Sequence, residues 1–194
     1  IIFSLCFREN IIFVVKIKEM RKLSMMELNR LSVTEYQRVE KIDVIIVLDN
    51  VRSLSNIGSF FRTADAFRVG EIFLCGITAC PPHRGMHKTA LGAEESVKWR
   101  YFETTEDACK YLKDNKYIIN AVEQIENSVM LDDYNPEEKS AYIFGNEVDG
   151  VDDAVLKYCD NAIEIPQEGT KHSLNVSVSA GIVMYHLFNS LWKK

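Results

Sequence analysis

The sequence predicts an α/β domain built on a mostly parallel sheet flanked by helices. Three observations carry this. Short apolar runs rich in β-branched residues, such as "DVIIVLDNV", alternate with helix-length amphipathic segments such as "TTEDACKYLKDN". Within those runs apolar residues are consecutive, the mark of strands covered on both faces. Three of them also end in clusters of polar residues and glycine, where open α/β sheets bind ligands.

The chain opens on "IIFSLCFRENIIFVVKIKEM", whose apolar runs are broken by Arg8, Glu9 and Asn10. Neither run reaches the roughly 18 residues of a membrane span, and no small-residue cleavage site follows. We read Met20 as the native start, with 1–19 read from upstream of the gene; the alternative is a genuine first strand. Residues 20–41 read as one or two short polar helices, with Ser32 or Thr34 capping the second. They carry too little apolar surface for a domain, so 1–41 is taken as an extension and 42–194 as the domain.

The remaining elements follow in turn. "DVIIVLDNV" is a buried strand, "NIGSFFRTADAF" a helix, "EIFLCGI" a strand, and "CPPHRGMHKTALGAEESVKW" a loop turning into a short helix. "TTEDACKYLKDN" is an amphipathic helix with Ala108, Tyr111 and Leu112 inward. "YIINAVE" and "SAYIFGNE" are strands, "DDAVLKYC" a helix and "NAIEIP" a last short strand. "KHSLNVSVSAGIVMYHLF" is ambiguous: Ser173, Asn175, Ser177 and Ser179 alternate with apolar residues as in a strand. Ser173, Ser177 and Gly181 recur at helical spacing.

The chain has 194 residues, 47% hydrophobic and 26% charged, which suits one globular domain. A net charge of −5 argues against a general coat on nucleic acid but leaves room for a local basic site. Five cysteines, odd in number and with no C-x-x-C pair, point to a reduced, cytoplasmic chain. No His/Cys/carboxylate cluster has metal-ligand spacing, so no metal is expected. The absence of any G-x-G or GK[ST] removes the dinucleotide and phosphate-loop readings.

Three clusters remain. In "LDNVRSLSNIGSFFRTADAF", Asn56 is placed to cap the helix and Gly58 to let its first turn approach a neighbour. Phe60 and Phe61 fill the buried side, and Arg62, with Arg52 and Arg68, makes a short cationic run suited to phosphate. On composition alone this is equally a capped helix with a surface arginine. In "IFGNEVDG", Gly145 ends a strand and Gly150 follows five residues on, leaving Asn146, Glu147 and Asp149 at the sheet's carboxyl edge. A plain turn before a helix cap at Asp152 or Asp153 is the alternative. In "IPQEGTKHSLNVSVSAGI", Ile165 and Pro166 end a strand and Gly169 allows a tight bend.

Taken together and in this order, N-x-G-x-x-x-R (Asn56–Arg62), F-G-N-E-x-x-G (Phe144–Gly150) and I-P…S-L-N-V-S-V-S-A-G (Ile165–Gly181) resemble the three motifs of the SpoU/TrmH family. These are S-adenosylmethionine-dependent RNA ribose 2′-O-methyltransferases of the SPOUT superfamily. The resemblance covers roughly 42–192. It implies a C-terminal deep trefoil knot, a homodimer with the active site at the interface, and S-adenosylmethionine bound in the knot. It implies cofactor contacts at Phe144, Gly145, Asn146, Gly150, Ile165, Pro166, Ser173 and Leu174, and more loosely at Glu123. It assigns Arg62 the activation of the ribose hydroxyl, with Asn56, Glu147, Asn175 and Ser173 completing the catalytic set.

RNA contacts are expected from Arg52, from Arg84, His87 and Lys88 with His83 beside them, and from Lys171; a solvated loop is the alternative at 81–93. The expected RNA is a tRNA, because no separate N-terminal RNA-binding domain and no long basic C-terminal extension is present; rRNA is the alternative. A catalytically silent SPOUT RNA-binding protein and a SPOUT base methyltransferase are the rival readings. The third motif is then read as helical from about Asn175, its Ser/Gly face against the knotted loop and cofactor. Val176, Ala180, Val183 and Leu187 form an apolar stripe shared with the dimer partner.

Overall fold

A computed structural model describes residues 21–24 and 26–192, with the backbone of 7–8 and 11–12. Met20 and nearly all of 1–19 lie outside the described residues, and so does the question of the native start. The chain divides into two compact units, Ile1–Ser32 and Val33–Lys194. In the first, β1 (Phe7–Arg8) and β2 (Ile11–Ile12) pair antiparallel. Further along, Glu27 accepts from the Ser24 backbone at 2.9 Å and from Arg21 Nη1 at 3.1 Å. This closes a turn where a first short helix was anticipated.

The second unit opens with α1 (Val33–Arg38), whose Tyr36 is buried and donates its hydroxyl to the Asp65 carbonyl at 3.0 Å. The compact body therefore begins before residue 42. It continues through β3 (Ile42–Asp49), α2 (Leu54–Ala66), β4 (Val69–Cys75), α3 (Arg84–Ala90), α4 (Ala93–Ser96) and β5 (Trp99–Phe102). Then come α5 (Thr105–Asp114), β6 (Ile118–Val122), β7 (Val129–Met130), β8 (Ser140–Phe144), α6 (Asp153–Leu156), β9 (Asn161–Glu164) and α7 (Val176–Leu191). The strands β5 and β7, too short to show a period, were not anticipated.

The seven strands β3–β9 form one parallel sheet in the order β5-β4-β3-β8-β6-β9-β7. Side chains alternate across it and build two cores. Val44, Ile46, Leu48, Ile72, Leu74, Tyr142 and Phe144 point to the side of α2, α3 and α7. Ile45, Val47, Phe73, Cys75, Ala141 and Ile143 point to the side of α5. Burial on both faces is why the strands read as continuous apolar runs. Strand β9 enters the sheet between β6 and β7, both of which precede it. Burial pushes the Cys109 thiol up to about 12 and the Cys159 thiol up to about 11. Among the described residues no helix is long and apolar enough to cross a membrane.

Candidate functional site

All parallel strands end on the same edge, and there, beyond β6, β8 and β9, lies a cavity of about 660 Å³. Its walls are the segment after β6, the loop after β8, the end of β9 and the stretch leading into α7. Glu123, Phe144, Gly145, Asn146, Gly150, Ile165, Ser173 and Leu174 all line it. Pro166, expected beside them, is exposed and outside the lining. Gln124, Ile125 and Leu156 line it too and carried no sequence signal, since each reaches the cavity only through the fold.

The loop after β8 is shaped by backbone. Asn146 and Gly150 exchange backbone hydrogen bonds at 3.1 and 3.2 Å, and the Asn146 side chain accepts from Val148 and Asp149 N–H at 2.9 Å. Gly150 has φ +71, a region that penalises any Cβ. A Cβ on Gly145 would sit 1.9 Å from the Gly150 carbonyl carbon, so the two glycines permit the turn to fold on itself. Glu123 fixes the outgoing chain by accepting from Val151 N–H at 3.1 Å.

A hydrogen-bonded chain of side chains joins the three motifs. Glu147 accepts from the Arg52 and Ser53 N–H groups, both at 3.2 Å, and from Asn56 Nδ2 at 2.8 Å. Asn56 Oδ1 accepts from Asn175 Nδ2 at 3.2 Å, and Asn175 Oδ1 accepts from the Ser177 hydroxyl at 2.6 Å and its N–H at 2.9 Å. The cap of α2 is Ser53, which accepts from Asn56 N–H at 3.3 Å. Asn56, expected as the cap, is thereby free to turn its amide toward Glu147. Burial alone would push the Glu147 carboxyl up, but the Asn56 amide and the backbone N–H groups outweigh it and hold it below the ordinary value. Asn175 caps α7 in the same manner, which settles the strand-or-helix ambiguity in favour of a helix from Val176.

Charge in the cavity is one-sided. Glu123, Glu147, Asp149, Asp153 and Glu164 line it against a single basic side chain, His172. Such a lining favours a cationic ligand and disfavours phosphate.

Arg62 is elsewhere. It is exposed on α2, outside the cavity lining, and among the described residues no hydrogen bond or ion pair holds it. Six residues beyond Asn56, it lies about 9 Å further along the helix on a different face. Within one chain, then, Asn56, Glu147 and Asn175 orient one another and do not orient Arg62. Arg52 stands 4.0 Å from Asp149, both exposed. Arg84, His87 and Lys88 are not in a loop but on α3, capped by His83 and packed against Gly58 of α2. Arg84 and Lys88 are exposed, His87 contacts Glu94, and Lys171 is exposed ahead of α7.

The family model for the SpoU rRNA Methylase family matches residues 43–185. The chain belongs to the SpoU rRNA methylase family. It is similar to a tRNA (guanosine(18)-2'-O)-methyltransferase of Thermus thermophilus, 29% identical over 82% of this chain and 81% of that one. It is also similar to a 23S rRNA (guanosine-2'-O-)-methyltransferase of Neisseria meningitidis, 30% identical over 73% of this chain and 56% of that one. Other relatives are likewise longer, the chain spanning 55–62% of their length. Among solved structures, the A. aeolicus TrmH/SpoU tRNA modifying enzyme superposes with TM-score 0.73 at 24% identity, over 81% of this chain and 80% of that one. The AdoMet-bound rRNA methyltransferase of Sinorhizobium meliloti gives 0.73 at 23%, over 80% and 60%. These likenesses establish the fold.

In this SpoU-family chain the apolar stripe expected on the partner side of α7 turns inward. Ala180, Val183 and Leu187 are fully buried in the chain's own core. The apolar residues left exposed on α7 are Val178 (50%), Ile182 (38%) and Tyr185 (57%), one helical stripe with Gly181, whose missing Cβ would meet nothing within 4 Å. Gly181 therefore makes no room for a loop of the same chain.

Proposed function

We propose that the protein is an S-adenosylmethionine-dependent methyltransferase acting on a ribose 2′-hydroxyl of structured RNA, a tRNA before an rRNA. The observation that carries the reading is the cavity whose walls come from the second and third motifs and whose rim is tied to the first by the Glu147–Asn56–Asn175 chain. Its volume suits a nucleoside-sized ligand. Its acidic lining suits a ligand bearing a sulfonium and an ammonium, and the apolar Leu156, Ile163 and Leu174 suit the remainder.

The cofactor would supply an activated methyl group. Gly145 and Ile165 would hold it through backbone, Ser173 and Leu174 would close over it, and Glu123 would sit near its ribose. The chain's own task is alignment and charge. Glu147, fully engaged and anionic, holds Asn56 and the first turn of α2, and Asn56 in turn orients Asn175 at the head of α7. A guanidinium with pKa above about 12 is a poor base. Arg62 therefore acts as a cation that orients a phosphate and stabilises the developing alkoxide, while phosphate or water takes the proton.

Because Arg62 stands apart from the cavity, the active site is completed between two copies of the chain, with the Val178–Ile182–Tyr185 stripe as the contact. The C-terminal trefoil knot belongs to the same reading, supported by the entry of β9 between β6 and β7 and the return of the chain past the 145–150 loop. Work on cytoplasmic RNA with no metal fits this chemistry.

The test is calorimetry with S-adenosylmethionine, then incubation of the labelled cofactor with total RNA from a knockout strain and mapping of 2′-O-methyl sites. Cofactor binding without transfer to any RNA would favour the silent RNA-binding alternative. Transfer to a base would favour the base-methylating one.

A further inference from the structure

The carboxyl edge of the sheet holds the cavity; the amino edge carries a row of cations. Lys98 precedes β5, Arg68 precedes β4, Lys41 precedes β3 and Lys139 precedes β8, while Lys116 stands two residues before β6. These are five adjacent strands, so the row runs about 19 Å at ordinary strand spacing. Ile42 lies level with Val69, and Ile118 with Ser140, so Lys41 matches Arg68 in depth. Strand β5 begins further in, with Trp99 level with Ile72, yet Lys98 and Lys41 line one cavity of about 270 Å³ with Gly70 and Ser96.

Lys98, Lys116 and Lys139 are exposed, whereas half-buried Lys41 donates to the Val39 carbonyl at 3.0 Å and to the Tyr36 carbonyl. Among the described residues none of the five is in an ion pair. Of the nearby carboxylates, Asp43 accepts from the Tyr117 hydroxyl at 2.7 Å, Asp65 accepts from Ser96 and Glu71 pairs with Arg100, while Glu40, Asp114 and Glu137 are exposed within two residues of the row. Three of the cations lie over aromatic rings, Lys41 over Tyr36 at 4.0 Å, Arg68 over Trp192 at 4.8 Å and Lys139 over Tyr117 at 5.3 Å. Burial, with Arg68 and Lys98 close by, pushes the Lys41 ammonium down.

Backbone conformation adds an independent observation. Arg68, Lys116 and Lys139 have φ of 52, 62 and 63, a left-handed region normally given to glycine or asparagine. The other positive-φ non-glycine residues described are three asparagines and Leu91. A helix C-terminus favours a nearby cation, which accounts for Arg68 after α2 and Lys116 after α5. It does not account for Lys139, which follows no helix, nor for all five standing in line in a chain of net charge −5.

We propose that this amino edge is a second RNA contact surface, binding phosphates remote from the methylated ribose. It rests on the methyl-transfer reading for its ligand. The edge lies about 17 Å from the cavity, the length of the five-residue β6 and β8 that run between them. Only a folded RNA reaching that far gains from it; a short oligonucleotide does not.

The experiment is fluorescence anisotropy with a labelled, unmodified tRNA transcript across a salt series, comparing wild type, Lys98→Gln/Lys116→Gln/Lys139→Gln and the control Lys110→Gln/Lys113→Gln. The substituted side chains, Lys98, Lys110, Lys113, Lys116 and Lys139, are exposed, so melting temperature and S-adenosylmethionine affinity report whether the fold is intact. The triple variant is expected to bind at least about tenfold more weakly and to flatten the slope of log affinity against log salt by about two to three. The control keeps the wild-type slope. A triple variant with the wild-type slope overturns the second surface while leaving methyl transfer standing. A wild-type protein that binds no RNA and methylates none takes both down together.

Discussion

Asn56 Nδ2 donates to Glu147 Oε1 at 2.8 Å across 91 residues of chain, joining the first turn of α2 to the loop after β8. A hydrogen bond to a charged acceptor contributes about 1.5–3 kcal/mol. Asn56→Ala is expected to lower turnover roughly 10- to 100-fold and to reduce the melting temperature. Asn56→Asp should be worse in both, because it sets two carboxylates against each other. Single-turnover methyl transfer and calorimetric melting check this; an Asp variant matching the Ala variant would remove the charged bond from the account.

The pH dependence follows from the same pair. Hydrogen bonds hold the folded Glu147 carboxyl below its ordinary value of 4.5. A depressed carboxyl adds stability that is present above the unfolded value and lost as pH falls through the folded one. The wild type should therefore lose stability on acidification through that window, read as a falling melting temperature, and Glu147→Gln should show a flatter profile. The group is exposed, so the effect is modest.

Glycines at the cavity should not tolerate a methyl group. Gly145→Ala would drive its Cβ to 1.9 Å from the Gly150 carbonyl carbon, and Gly150→Ala would meet Glu123 Oε2 at 2.2 Å in left-handed backbone. Each is expected to cost about 1–3 kcal/mol and to abolish tight S-adenosylmethionine binding. Gly181→Ala, in open space on a helix, should instead raise the monomer's stability by up to about 1 kcal/mol. Thermal melts of the three variants separate these outcomes.

Arg62→Lys keeps the charge and loses the planar fork. Since among the described residues no hydrogen bond or ion pair holds Arg62, the variant's melting temperature and cofactor affinity should stay at wild type while kcat falls about tenfold or more. Near-normal turnover would mean that charge alone suffices.

Dimerisation can be read separately. Val178→Glu/Tyr185→Glu should shift the protein to a monomer in sedimentation and remove methyl transfer while leaving the fold intact. Mixing Arg62→Ala with Asn56→Ala should restore part of the activity, because mixed pairs contain one complete site. Absence of any restoration would place Arg62 and the cavity in service of the same copy by some closure of the chain.

Most of the fold was legible because strands buried on both faces and helices buried on one leave their period in the sequence. Leu112 of α5 and Ile46 of β3 fell where that period put them. The three motifs were legible because glycine and side-chain caps are local needs, met by neighbours in the chain. What distance in space decides was not. That Asn56 leaves the capping role to Ser53 and reaches Glu147, that Val178, Ile182 and Tyr185 stay exposed while Ala180 and Val183 turn inward, and that Arg62 stands away from the cavity all depend on how α2 and α7 lie together. The row from Lys98 to Lys116 depends on strand order, which scatters residues 41, 68, 98, 116 and 139 along the chain and gathers them on one edge. Local preference is written residue by residue, whereas a surface is written only by the order in which the strands pair.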